Sequence, residues 1–121
     1  MNILIVDDSK FTRNLLAASL TKMAYQVTSA DGPHEAMAKI EKHRPDLIIT
    51  DLKMPSLMDG LGFIKMLSLE VRDIPVFVYT ADANAASTVG ETGLDYVRFI
   101  QKPVAAQLLQ NEIVAVLGEP R

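Results

Sequence analysis

With 121 residues the chain fits one domain, long enough to bury a real core and too short for two. Its 49% hydrophobic content excludes a disordered chain, and a net charge of −3 gives no footprint for direct nucleic-acid binding. It has no cysteine, so disulfides and thiolate metal sites are excluded, and no apolar run approaches the ~20 residues of a membrane span.

Strand-like and helix-like segments alternate along the chain. The first strand, 2–7, holds Ile3-Leu4-Ile5-Val6 and ends in two adjacent acids, Asp7 and Asp8. Ser9 is placed to cap a first helix carrying Phe11, Leu16, Leu20 and Met23 on one side. A second strand, 26–30, leads to Pro33, which suits the first turn of a second helix with Ala36, Met37 and Ile40 inward. A third strand, 46–51, runs through Leu47-Ile48-Ile49 to Asp51. The third helix, Gly60 to Glu70, holds Phe63, Ile64 and Leu67 as core residues. A fourth strand, 74–80, runs through Val76-Phe77-Val78 to Thr80. The fourth helix, Asp82 to Thr92, has little large apolar surface. The fifth strand, 97–101, passes through Phe99-Ile100 to Lys102, and Pro103 opens a fifth helix with Leu109, Ile113, Val116 and Leu117 on one stripe.

This alternation with near-continuous apolar strands implies an α/β fold: a doubly wound, five-stranded parallel sheet, (βα)5, flavodoxin-like, in the order 2-1-3-4-5. Residues 1–118 form the domain, and 119–121 are a C-terminal tail or the start of a linker. Met1 runs straight into the first strand, so no signal peptide is expected, and the cytoplasm is the expected location.

In this strand order, ligands bind at the carboxyl ends of strands 1 and 3, where the winding reverses. Asp7, Asp8 and Asp51 fall there, and Thr80 and Lys102 end the neighbouring strands. Like charges this close resist ionising together unless a cation sits between them. Three carboxylates and one ammonium leave the rim two charges negative, which one divalent cation would balance. Oxygen donors suit Mg²⁺, with Mn²⁺ as an alternative, and not zinc or copper; His34 and His43 belong to the second helix, away from the rim. Asp51 can then act as a nucleophile toward phosphorus, with the metal and Lys102 neutralising charge and the Thr80 hydroxyl bonding a phosphoryl oxygen.

The chain resembles the receiver domains of two-component response regulators, chemotaxis regulators included, over essentially its whole length. The resemblance rests on Val6-Asp7-Asp8-Ser9, Asp51-Leu52-Lys53-Met54-Pro55, Thr80-Ala81 and Lys102-Pro103, in order and each at a strand end. It implies Asp51 as phosphoacceptor, and Asp7, Asp8, Asp51 and the Lys53 backbone carbonyl as Mg²⁺ ligands. It makes Thr80 the switch hydroxyl, Lys102 the phosphate-pairing cation and Phe99 the switch aromatic, with Tyr96 competing for that last role. It also implies a cis bond before Pro103. Small Ala81 leaves room for the phosphoryl donor, and Lys53 and Asp82 are expected to pair across the mouth and slow hydrolysis of the phosphate. Two departures accompany the match. The Met54–Gly60 loop is one residue longer than the family pattern, and the stretch from Gly93 to Lys102 is about two residues longer. Gly62 falls near the start of the third helix, where an interior glycine costs about 1 kcal/mol relative to alanine.

The function so implied is a phosphorelay switch. A histidine kinase or histidine phosphotransfer protein donates to Asp51. The surface of the fourth helix, fifth strand and fifth helix then changes to control a downstream protein or an output domain. Beyond slow self-phosphorylation and self-dephosphorylation no enzymatic activity is expected, and neither is a nucleic-acid or membrane partner. The alternative is a receiver fold that docks partners without phosphorylation. Haloacid-type phosphatases need a second acid where Lys53 stands, P-loop enzymes need a glycine-rich motif this chain lacks, and a flavin phosphate would be repelled by Asp7 and Asp8. Met54, Leu57 and Met58 form either a contact patch or loop packing, and Asp59 is read as solvated.

Overall fold

The computed structural model of the chain describes residues 1–51, 60–70, 73–81 and 97–118. Five strands, β1 (Asn2–Val6), β2 (Gln26–Ala30), β3 (Leu47–Thr50), β4 (Val76–Thr80) and β5 (Val97–Gln101), form one parallel sheet in the order β2-β1-β3-β4-β5. The described helices are α1 (Lys10–Lys22), α2 (Pro33–Lys42), α3 (Gly60–Glu70) and α4 (Ala106–Leu117). The doubly wound architecture read from the sequence is therefore the one observed. Among the described residues no helix is long and apolar enough to cross a membrane. The expected fourth helix at 82–92 lies outside the described residues, as does the Met54–Met58 patch.

Side chains alternate across a strand, so the central strands feed two cores. On one face Leu4, Val6, Ile48, Val76 and Val78 meet Ala36 and Ile40 of α2 and Phe63, Ile64 and Leu67 of α3. On the other, Ile3, Ile5, Leu47, Ile49 and Phe77 meet Leu16 and Leu20 of α1 and Leu109 and Ile113 of α4. Both faces are covered, which is why β1 and β3 are apolar at every position except the buried Asn2 and Thr50. Met37, Met23, Val116 and Leu117 pack partly buried against these cores, as their spacing implied.

Two expectations need correction. Phe11 is 76% exposed and not on the inner side of α1. It lies five positions before Leu16, which turns it about 140° away around a helix of 3.6 residues per turn. Phe11 and Leu15, itself 60% exposed, share the outer stripe instead. Pro103 also does not open the last helix. Lys102 N–H still donates to the Thr80 carbonyl at 2.8 Å, extending the β4–β5 ladder. The chain then turns through Pro103 and Val104 before α4 starts at Ala106, with Ala105 as its N-cap.

At its other end α1 closes in a Schellman arrangement: Ala24 N–H donates to Thr21 O at 3.0 Å and Tyr25 N–H to Leu20 O at 3.2 Å. The buried pair Tyr25 and Leu20 supplies the apolar contact of that motif. Ala24 pays for it with φ 71°, in the left-handed region where a Cβ is disfavoured. Ala24→Gly is expected to raise unfolding free energy by about 0.5–1 kcal/mol, net of glycine's larger unfolded-state entropy. Urea denaturation of the two proteins checks this; a loss of stability would contradict it.

Candidate functional site

The carboxyl ends of β1, β3, β4 and β5 build the site. Asp7 is the first residue beyond β1, held by its N–H to Ala30 O at 3.1 Å, and Asp51 is the first beyond β3, held by its N–H to Val6 O at 3.1 Å. Each acid thus continues the parallel ladder by one bond, which fixes its backbone before its side chain is placed. Asp7 is 4% exposed. Its Oδ1 accepts from Ser9 N–H at 2.9 Å, and Ser9 Oγ in turn caps α1 by accepting from Thr12 N–H at 3.2 Å. Arg13 Nη1 donates to the Asp7 carbonyl at 2.6 Å.

Lys102 brings the two acids together. Its Nζ stands 3.2 Å from Asp7 Oδ2 and 3.2 Å from Asp51 Oδ2. It also lies 5.0 Å from the centroid of the Tyr79 ring. Thr80 is buried at the end of β4, two strands from Asp7. Phe99 is half-buried against the α2–α3 core, on the same face as its β4 partner Val78. Asp8 and Ala81 are exposed. The Lys102–Pro103 bond is cis. Lys53, Asp82 and Tyr96 lie outside the described residues. Among the described residues no three acid, histidine or cysteine side chains stand together as a ready ligand set for a metal ion.

The electrostatics of the cluster follow from two acids sharing one cation in a partly dry pocket. Burial pushes the Asp7 carboxyl up from its ordinary 3.8; the Ser9 N–H and Lys102 oppose this, and the charge on Asp51 adds to it. Burial pushes the Lys102 ammonium down, but Asp7 and Asp51 outweigh it and the net shift is upward from 10.5. The ammonium is thus held charged by the two acids, while burial works against the charge on Asp7. Carboxylate oxygens are hard donors of the kind that Mg²⁺ takes.

The raised Lys102 value contributes stability that is fully present below about pH 10.5 and lost as pH rises through the raised value. The raised Asp7 value contributes stability below about pH 3.8 that is lost as pH rises through the raised value, so ionised Asp7 is a liability at neutral pH. Without divalent cation, Asp7→Asn is therefore expected to melt higher than the parent at pH 7, with the gap narrowing toward pH 4. Thermal scans across that range test this, and a lower melting point at pH 7 would contradict it.

The sequence reading missed Arg13 and Tyr79. No motif marks Arg13; it reaches the Asp7 carbonyl from the first turn of α1. Tyr79 adjoins Thr80, and the β4–β5 register pairs it with Ile100, two positions before Lys102.

The model of the family described as the response regulator receiver domain matches residues 3–114. Among curated relatives, the response regulator MprA of Mycobacterium leprae is 33% identical over 97% of this chain and 51% of its own length. The chain spans about half the length of the curated relatives it matches. Among solved structures, the chemotaxis protein CheY4 of Vibrio cholerae superposes with a TM-score of 0.84 at 28% identity, covering 96% of this chain and 98% of its own. The response regulator TrrA of Thermotoga maritima, solved in complex with Mg²⁺ and BeF, gives a TM-score of 0.85 at 26% identity over 96% and 98% of the two chains. With a match over nearly its whole length, this sheet order and this rim of acids and lysine, the chain belongs to the family of response regulator receiver domains.

Proposed function

We propose that this domain is a phosphoryl-accepting switch of a two-component phosphorelay, with Asp51 as the acceptor. The observation that carries the reading is Lys102 Nζ at 3.2 Å from both Asp7 and Asp51. A carboxylate held beside a fixed cation at the open rim of a parallel sheet is placed to attack phosphorus, and the cation is placed to meet the charge that arrives. An Asp51 oxygen forms the new bond to phosphorus as the donor's bond to phosphorus breaks. Thr80 hydrogen-bonds a phosphoryl oxygen from the end of β4. Asp7, Asp8 and Asp51, with the Lys53 carbonyl, would hold Mg²⁺, which supplies charge neutralisation on the phosphoryl oxygens. That the similar chain TrrA was solved in complex with Mg²⁺ and BeF supports the reading that the domain takes Mg²⁺.

The donor is a histidine kinase or histidine phosphotransfer protein, and the cytoplasm is the proposed location. Movement of Thr80 toward the phosphate and of Phe99 into the space it leaves alters the surface carried by β5 and α4, and a partner that prefers that surface shifts the population. The domain is not otherwise an enzyme.

Intact-mass measurement after incubation with Mg²⁺ and a small phosphodonor tests the reading. The expected result is one acid-labile phosphoryl group per chain, mapped to Asp51. No adduct, or an adduct on another residue, would overturn it and favour a domain that docks partners without phosphorylation.

A further inference from the structure

From the position of Lys102 over Tyr79 we infer that Tyr79 is a positioning residue, whose ring holds the Lys102 ammonium in its bridging place between Asp7 and Asp51. The inference rests on the phosphoacceptor reading for its consequence, but not for its geometry. Lys102 leaves the sheet one residue beyond β5. Asp51 stands at the end of β3 and Asp7 at the end of β1, so the ammonium reaches across β4 to meet them. Strands in a sheet lie about 4.8 Å apart, and a four-carbon stem making that crossing has many rotamers to lose.

Tyr79 is the residue it crosses. Tyr79 pairs with Ile100 in the β4–β5 register, and Thr80 with Gln101, so the ring stands two positions before Lys102 along the ladder. The ring points to the α1–α4 side and packs half-buried against that core. The ammonium lies 5.0 Å from its centroid, within reach of the negative ring face. Another course is open to the stem. A cavity of about 360 Å³ between α1 and α4, lined by Leu16, Tyr79, Lys102, Val104 and Leu109 among others, offers the side chain room to swing away from the acids. The ring favours the bridging course because the attraction exists only while the ammonium stays over it. Burial and the apolar core keep the phenol neutral at physiological pH, so the contact is with the ring and not with a phenolate.

NMR of the whole chain tests this. The Lys102 ε-protons are expected upfield of their position in an unstructured peptide, from the ring current of Tyr79. The shift should survive in Tyr79→Phe and vanish in Tyr79→Leu, with amide dispersion confirming that each variant is folded. At saturating Mg²⁺, beryllofluoride should bind roughly 3- to 10-fold more weakly to Tyr79→Leu than to the parent, and within about 2-fold of the parent in Tyr79→Phe. Adding Tyr79→Leu to Lys102→Met should cost nothing further. A Lys102 resonance without the upfield shift would overturn the inference, and so would a Tyr79→Leu loss that persists in the Lys102→Met background. Failure of the parent to bind beryllofluoride would instead count against the phosphoacceptor reading, and the ring-current result would still decide the placement of Lys102.

Discussion

Asp51→Asn is expected to abolish phosphorylation, lowering the rate of phosphoryl incorporation from a small donor by at least about 100-fold. The amide keeps the size and much of the hydrogen bonding of the carboxylate, and the backbone N–H to Val6 O is untouched, so the fold is retained. What disappears is the anionic oxygen, the only part of the side chain able to form the bond to phosphorus. Removing one of two acids that share Lys102 also lowers the repulsion on Asp7. The variant should therefore be at least as stable as the parent while chemically silent. Phosphorylation and thermal unfolding measured together separate the two effects. Incorporation that persists with the adduct on Asp7 or Asp8 would mean that the acceptor was misassigned.

Lys102→Met is expected to act oppositely on stability. The substitution fills similar space and removes a cation that touches both acids. Asp7 and Asp51 side chains are only 6% and 14% exposed. Stranding carboxylates at such sites costs on the order of 1–3 kcal/mol in the absence of divalent cation. Mg²⁺ should recover much of that loss, because a divalent cation held by the same acids would offset their charge. Phosphorylation should still fall by roughly 10- to 100-fold even at saturating Mg²⁺, since the charge that Lys102 presents to the phosphoryl oxygens is not replaced. Denaturant unfolding with and without Mg²⁺, alongside phosphorylation rates, checks both parts. A variant as stable as the parent without metal would show that the two 3.2 Å contacts contribute little.

The parts of this site that a sequence can carry are those set by strand ends. An apolar run states where a strand is, its last residue states which rim a side chain occupies, and parallel winding states that all such rims coincide. That is why Asp7, Asp51, Thr80 and Lys102 could be gathered from four short strings. The tertiary pairings are less legible. Which acids Lys102 bridges depends on how far its stem reaches and on what lies under it, and Tyr79 looks like any β-favouring residue in a strand. Asp8 is a neighbour of Asp7 in sequence, yet it is exposed while Asp7 is buried, because Asp7 still continues the ladder through its N–H to Ala30 O and Asp8 lies in the bend beyond it. Phe11 shows the limit in a helix: an aromatic residue near an apolar stripe reads as part of it, and the angle around the axis places it outside. Pro103 shows the limit at a helix start, where a first-turn preference yielded to a ladder bond from Lys102 to Thr80.

The shared pocket itself is most directly tested by amide and side-chain NMR during a Mg²⁺ titration followed by beryllofluoride. If the account holds, Asp7, Asp8 and Asp51 respond to Mg²⁺ alone. Thr80 and the Lys102 side chain then shift at one-to-one saturation with beryllofluoride, and Asp51→Asn removes that second response. A beryllofluoride response that leaves Thr80 and Lys102 unmoved, or that persists in Asp51→Asn, would contradict it.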